Sequence, residues 1–210
     1  MKWKKAISIV CMALSLLAVT ACGGQQAAQN GGSKAAGTAA AEKAPAKAKK
    51  VLVVYYTNTH RTEQVAKTIA RETGGDLYLL DLEKPYTPAD LDYNNKSARV
   101  YKEHDDPSLR NVALKNAKPA NWQEYDTVFV GYPIWWGIAA WPMDTFVKSN
   151  DFTGKTVIPF ATAYSSGLGS SAGQLKEMAG SKGTWLQGRC FTGTIQDSQV
   201  KDWVKSLGVK

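Results

Sequence analysis

Past residue 50 the chain switches between short unbroken apolar runs and longer stretches whose apolar residues recur every three to four positions. Residues 51–56, Val51-Leu52-Val53-Val54-Tyr55-Tyr56, are apolar without alternation, which predicts a strand covered on both faces. Val65, Ala66, Ile69 and Ala70 then share one face of a helix, with Thr62 as its candidate N-cap and Gly74-Gly75 as its stop. Residues 77–82 form a second strand, 127–132 a third, 156–161 a fourth and 185–191 a short fifth. Helices are expected over about 143–148, behind Pro142 at a first turn, and over 174–178. Val200, Trp203, Val204 and Leu207 are spaced for a last amphipathic helix. Residues 151–155 read as a turn and 165–173 as a small, glycine-rich loop. Residues 83–123 form a long polar passage containing Pro85, Pro88, Pro107 and Pro119. One helix is expected there, around 94–103, with irregular chain after it.

Strands that alternate with helices build right-handed βαβ units and a parallel sheet. Five such strands predict an α/β fold: a doubly wound five-stranded parallel sheet of order 2-1-3-4-5, with helices on both faces. Ligands of such sheets sit beyond the carboxyl ends of the strands, at the switch point between strands 1 and 3.

Charge changes the picture only when divided along the chain. The formal net charge is +8. Residues 1–21 contribute +3 through Lys2, Lys4 and Lys5, and residues 22–50 contribute +4 from five Lys and one Glu. Residues 51–210 carry 18 basic and 17 acidic residues. A nucleic-acid site needs a basic face on the folded domain, so no nucleic-acid partner is expected. A basic leading segment instead suits attraction to an anionic membrane.

Met1-Lys2-Trp3-Lys4-Lys5 followed by an apolar stretch from Ala6 to Val19 reads as a signal segment over residues 1–21, too short for a comfortable membrane span. It ends Val19-Thr20-Ala21-Cys22, which resembles the lipobox of bacterial lipoproteins. The resemblance implies cleavage before Cys22, lipidation of its thiol, and an extracytoplasmic protein anchored to the bacterial cell membrane. Ordinary secretion with an incidental Cys is the alternative. Residues 22–50, rich in Ala, Gly, Gln and Lys, have no large apolar side chain to pack and read as a disordered tether. Cys11 leaves with the signal and Cys22 is modified, so Cys190 stands alone and no intrachain disulfide or Cys/His metal cluster is expected. The domain, residues 51–210, is long enough to rest on its own core.

Three segments follow strands 1, 3 and 4, and the topology brings them to one edge. Thr57-Asn58-Thr59-His60-Arg61-Thr62 offers hydroxyls and free N–H groups at a helix start, where the dipole favours an anion. Pro133-Ile134-Trp135-Trp136-Gly137 offers two large π-faces for a flat ring. Thr162-Ala163-Tyr164-Ser165-Ser166-Gly167 is short enough for backbone to approach a ring edge. Each has a plainer reading: cap and turn residues in the first, core or partner-surface tryptophans in the second, an ordinary loop in the third. Their joint placement favours a site. His104 with Asp105 and Asp106 reads as a solvated face, and the sequence specifies no role for Glu103 in substrate access.

Over 51–209 the chain resembles the flavodoxin family, most specifically in Gly131-Tyr132-Pro133-Ile134-Trp135-Trp136-Gly137 with Pro142 and Thr145-Phe146, and next in Gly154-Lys155-Thr156-Val157-Ile158-Pro159-Phe160. The resemblance implies a flavodoxin-like fold, non-covalent FMN, and one- or two-electron transfer. It assigns Thr57, Asn58, Thr59, His60, Arg61 and Thr62 to the phosphate. It assigns Pro133, Ile134, Trp135, Trp136, Gly137, Thr162, Ala163, Tyr164, Ser166 and Gly167 to the ring. The chain departs from the family pattern where His60 and Arg61 stand for Gly and Asn, and where Ala163 and Tyr164 stand for Ser and Gly. His60 must then accept positive φ. Arg61 gains a charge-assisted contact, and Tyr164 becomes a second aromatic wall opposite Trp135, with Trp136 packed toward the helix. Either FMN binds through altered contacts, or the site has moved to another ligand or to none.

Three functions remain open from sequence. The first is a membrane-tethered flavodoxin-like protein passing electrons to an unknown redox partner. The second is an FMN-dependent reductase of quinones or similar small acceptors, favoured by the near-neutral charge of the domain. The third is a flavin-free module that binds a ligand or partner through the tryptophan edge.

Overall fold

The computed structural model describes residues 49–209. The expected signal segment, Cys22 and all of the expected tether except Lys49 and Lys50 lie outside the described residues. In chain order the elements are β1 (Val51–Tyr55), α1 (Arg61–Thr73), β2 (Asp76–Leu79), α2 (Arg99–Asp105), β3 (Thr127–Trp135), β4 (Ile138–Ala139), α3 (Pro142–Ser149), β5 (Thr156–Thr162), α4 (Ser171–Met178), β6 (Thr184–Trp185), β7 (Arg189–Phe191) and α5 (Asp197–Ser206). Three short 3₁₀ turns lie at Ala89–Leu91, Pro107–Arg110 and Trp122–Glu124.

The sheet runs β2-β1-β3-β5-β6, with β7 also on β5, and every one of these pairings is parallel. This is the expected doubly wound order, with one extra two-residue strand, β4, antiparallel to the end of β3. β1 is buried along its whole length and divides its side chains between two cores. Val51, Val53 and Tyr55 pack with Val65 and Ile69 of α1, Phe129, Ile158, and Val200 and Trp203 of α5. Leu52, Val54 and Tyr56 pack on the other face with Val130, Phe146, Val147 and Leu175. Period-two alternation within a wholly apolar strand therefore feeds two helical layers. Gly131 permits the close contact of β3 with β5: a Cβ there would meet the Phe160 ring at 2.0 Å.

Four expectations need correction. The helix after β1 starts at Arg61 with His60 in the cap position, not Thr62, because the Thr62 hydroxyl is buried and bonded to the Thr162 hydroxyl at 2.8 Å. Strand 2 stops at Leu79, and Leu82 bridges to Leu114 of the returning passage. The helix of the passage lies over Arg99–Asp105, later than expected. The fifth strand is broken in two opposite Pro159. The Val157 carbonyl accepts from the Leu186 N–H at 2.9 Å, and the Ala163 N–H donates to Phe191 at 3.1 Å. Odd-numbered residues of β5 thus face this edge, and Pro159 has no N–H to give there.

Candidate functional site

The first loop runs from the end of β1 into α1. The first intrahelical bond to its cap is from the Gln64 N–H to the His60 carbonyl, at 3.0 Å, so the N–H groups just ahead of Gln64 have no partner within the helix. His60 has φ 60 and ψ 2, the left-handed conformation that a Gly would adopt freely. Its Nδ1 lies 2.6 Å from Glu63 Oε2, while Lys67 Nζ lies 2.7 Å from Glu63 Oε1. Hydrogen bonds from Lys67 and then His60 hold the Glu63 carboxyl below its usual range. The one acidic side chain of the first turn is therefore compensated, which leaves the helix start suited to an anion. Arg61 Nη2 donates to the Gly193 carbonyl at 2.6 Å, tying this loop to the chain after β7.

The second segment is no open loop. Pro133, Ile134 and Trp135 continue β3, which turns at Trp136-Gly137 and returns as β4, pairing Ile134 with Ala139 and Trp135 with Ile138. Trp136 and Gly137 have φ 46 and 81. Two consecutive positive values are what a two-residue hairpin turn with right-handed strand twist requires. Gly137 meets that without cost. Trp136 carries some strain, offset by its ring, which stacks on His104 of α2 at 4.4 Å and 27°. Trp135 meets Tyr56, Tyr86 and Trp141 edge-on, at 6.0, 5.3 and 5.4 Å. The adjacent tryptophans thus differ. Among the described residues, Trp136 has rings lying parallel to it and Trp135 has none.

The third segment leaves β5 beneath the Ala163–Phe191 backbone bond. Tyr164 is 95% exposed. A cleft of about 530 Å³ opens between these segments. It is lined by Asn58, Thr59 and Arg61, by Pro133, Ile134, Trp135 and Trp136, and by Thr162, Ala163 and Tyr164. Of the other expected site residues, Thr57, His60, Thr62, Gly137, Ser166 and Gly167 do not line it. Thr62 is turned inward to Thr162, the His60 side chain is mostly exposed, and the Ser166 carbonyl accepts from Cys190 Sγ at 3.6 Å.

Leu91, Tyr93 and Val100 complete the lining. All three come from the polar passage and were not expected at the site. The local signal there is weak: Arg99 and Glu103 are an opposite-charge pair four residues apart, but so are Lys102 and Asp106. Beside the cleft the buried Tyr56 hydroxyl faces the side chain of cleft-lining Asn58, and beyond each other the two have no hydrogen-bond partner. Desolvation pushes the Tyr56 phenol well above its usual range, so it stays protonated and a donor. Among the described residues no group of His, Cys, Asp and Glu is arranged to hold a metal ion, and no helix is long and apolar enough to cross a membrane.

Residues 50–207 match the flavodoxin family. Similar solved structures include proteins described as flavoproteins from Bacteroides eggerthii and Bacteroides uniformis. They are 40% and 38% identical, each with TM-score 0.69. The alignments cover 77% and 76% of this chain and 99% of each relative. A flavoprotein from Lactobacillus acidophilus, solved in complex with FMN, is 21% identical with TM-score 0.51, over 74% of this chain and 99% of that one. That likeness is one of fold. No curated protein matches the chain. The chain belongs to the flavodoxin family, and its doubly wound sheet is the flavodoxin-like fold.

Proposed function

We propose that this chain is an FMN-binding electron-transfer protein held at the outer side of a bacterial cell membrane by lipidated Cys22. One observation carries the cofactor reading: three segments that end β1, β3 and β5 line a single cleft at the switch point of the sheet. FMN is the cofactor of the family, and the residues present fit it. The cleft volume lies within the small-molecule range of about 300–1,000 Å³. Its lining is mainly apolar and aromatic, with Arg61 as its one charged side chain. The α1 start and Arg61 suit a phosphate. Trp135 and Tyr164 come from adjacent strand ends and suit the two faces of a flat ring.

Bound FMN supplies the redox chemistry. The chain would bind and orient it between the apolar cleft wall and Tyr164, whose 95% exposed ring would be the cover nearest a partner. A second reading, an FMN-dependent reductase of quinones or similar small acceptors, is favoured by the near balance of 18 basic and 17 acidic residues over 51–210. That balance offers little long-range steering toward a charged protein partner.

Titration of the purified domain with FMN, followed by visible absorption and flavin fluorescence, tests the cofactor. Binding with quenched fluorescence is expected from a ring stacked on Trp135. A domain that leaves the flavin spectrum unchanged is a flavin-free module. Turnover of a reduced nicotinamide with a quinone would select the reductase reading. Membrane fractionation of the full chain and of Cys22→Ser tests the anchor: a cleaved Cys22→Ser protein that still pellets with membranes overturns it.

A further inference from the structure

Glu103 is the most buried carboxylate among the described residues, 5% exposed. Its Oε2 accepts from the Tyr86 hydroxyl at 2.6 Å and its Oε1 from Arg99 Nε at 2.8 Å. Arg99 also donates to the Lys84 carbonyl at 2.8 Å, and its guanidinium lies over the Tyr86 ring at 3.9 Å. Arg110 Nε closes the group from the other side, donating to the Glu103 carbonyl at 2.7 Å. Residues 84, 86, 99, 103 and 110 are thereby joined into one brace inside a passage with little regular structure.

A buried ion pair is an expensive way to add stability, since well-packed apolar residues do as well. What it supplies is one geometry, because charge-assisted hydrogen bonds are short and directional. The geometry in question is that of Tyr86. Its ring meets Trp135 edge-on at 5.3 Å and 82°. The other two rings on Trp135 are set by regular structure: Tyr56 follows β1 directly and Trp141 caps α3. Tyr86 lies in neither a helix nor a strand, so the hydrogen bond to Glu103 and the stacked Arg99 fix its ring alongside its packing in the core. Val100, one turn before Glu103 on α2, lines the same cleft.

We propose that Glu103 is a positioning residue for the ring-binding end of the cleft, acting through the Tyr86 hydroxyl and the perpendicular contact of the Tyr86 ring with Trp135. The proposal rests on the FMN reading above for its ligand but not for its geometry. It assigns to the polar passage a defined part: a wall of the cleft whose aromatic contact is aimed by a buried carboxylate.

The test uses wild type, Glu103→Gln and Tyr86→Phe, with both FMN and riboflavin. Tyr86→Phe keeps the ring and the Glu103–Arg99 pair and removes only the hydroxyl, so it tests the brace without disturbing the buried charge. Loss of an aligned aromatic contact corresponds to about three- to tenfold in affinity. Because the ring end is affected, FMN and riboflavin should weaken by the same factor, and the double variant should lose no more than the larger single loss. In the ligand-free protein, the near-ultraviolet circular dichroism that disappears in Trp135→Phe should be reduced in Tyr86→Phe, a signature that a change in stability alone does not move. Affinities for both flavins within about twofold of wild type, or a loss confined to FMN, overturn the proposal. If wild type binds neither flavin, the FMN reading fails by itself. The dichroism then decides the brace: a Trp135 signal unchanged in Tyr86→Phe overturns it.

Discussion

The loop from β1 into α1 and the passage between β2 and β3 both line the cleft, and they are held by different means. The loop is pinned at each end by regular structure: a strand buried on both faces and a 13-residue helix whose apolar face is fully covered. Beyond the short backbone pairing around Leu82 and Leu114, the passage is pinned by side chains. Asn116 donates to the Leu79 carbonyl at 2.7 Å and accepts from the Asp81 N–H at 2.8 Å. Thr145 and Asn150 of the α3 region donate to the Val112 and Ala117 carbonyls. At its far end, buried Lys155 donates to the Trp122 and Tyr125 carbonyls at 2.8 and 2.7 Å. A wall built on backbone hydrogen bonds tolerates side-chain change. A wall built on a few buried charged and polar side chains does not.

The comparison breaks hardest at Glu103. Glu103→Ala strands Arg99, whose side chain is only 28% exposed. Removing one partner of a buried pair costs about 3–5 kcal/mol, and the low end is expected because Arg99 keeps some water. Urea unfolding measures it. A loss below about 1 kcal/mol would mean the passage is held elsewhere.

Asp144, in the first turn of α3, offers the next largest effect. Burial raises its carboxyl to about 6, with Lys148 and then Arg110 of the passage opposing. The folded state therefore binds this proton more tightly than the unfolded chain does. The stability this group contributes is fully present below about pH 4 and is lost as pH rises through about 6. Asp144→Asn should raise stability at pH 7.5 by up to about 2–3 kcal/mol and flatten this part of the profile. A variant as pH-sensitive as wild type between those values would sink the assignment.

At the loop, Arg61→Ala should weaken FMN about tenfold, the effect of a charge-assisted hydrogen bond, and leave riboflavin nearly unchanged. Equal losses for both would mean that Arg61 acts by tethering Gly193. His60→Gly is expected to have the smallest effect. Relief of a left-handed non-glycine residue, about 1–2 kcal/mol, is offset by the greater freedom of glycine in the unfolded chain. A stability change under about 1 kcal/mol in denaturant melts fits a loop held by its flanking elements. A collapse of the fold would contradict it.

Much was legible before any coordinates. Unbroken apolar runs at 51–56, 127–132 and 156–161 dictated a two-sided parallel sheet, because only such a sheet buries both faces of a strand. Five such strands fit the 2-1-3-4-5 order, and that order puts the three segments at one edge. The positive φ of His60 was implied by the family resemblance, where His60 stands for Gly, whereas the hairpin turn at Trp136-Gly137 was not read from sequence. The broken fifth strand had a written cause in Pro159, but only the pairing direction of β5 turned that missing N–H into a gap.

Tertiary structure alone decided the rest. Thr62 and Thr162, a hundred residues apart, bond to each other, and no local pattern encodes that meeting. Trp135 and Trp136 are neighbours of the same type, yet His104 stacks on Trp136 and Tyr86 stands perpendicular to Trp135, through contacts with a passage that has no periodicity to read. Residue pattern determines which faces must be buried, because hydrophobic burial depends on composition and spacing. Which side chain stands against which depends on direction and distance across the fold, and those exist only once the chain has closed on itself.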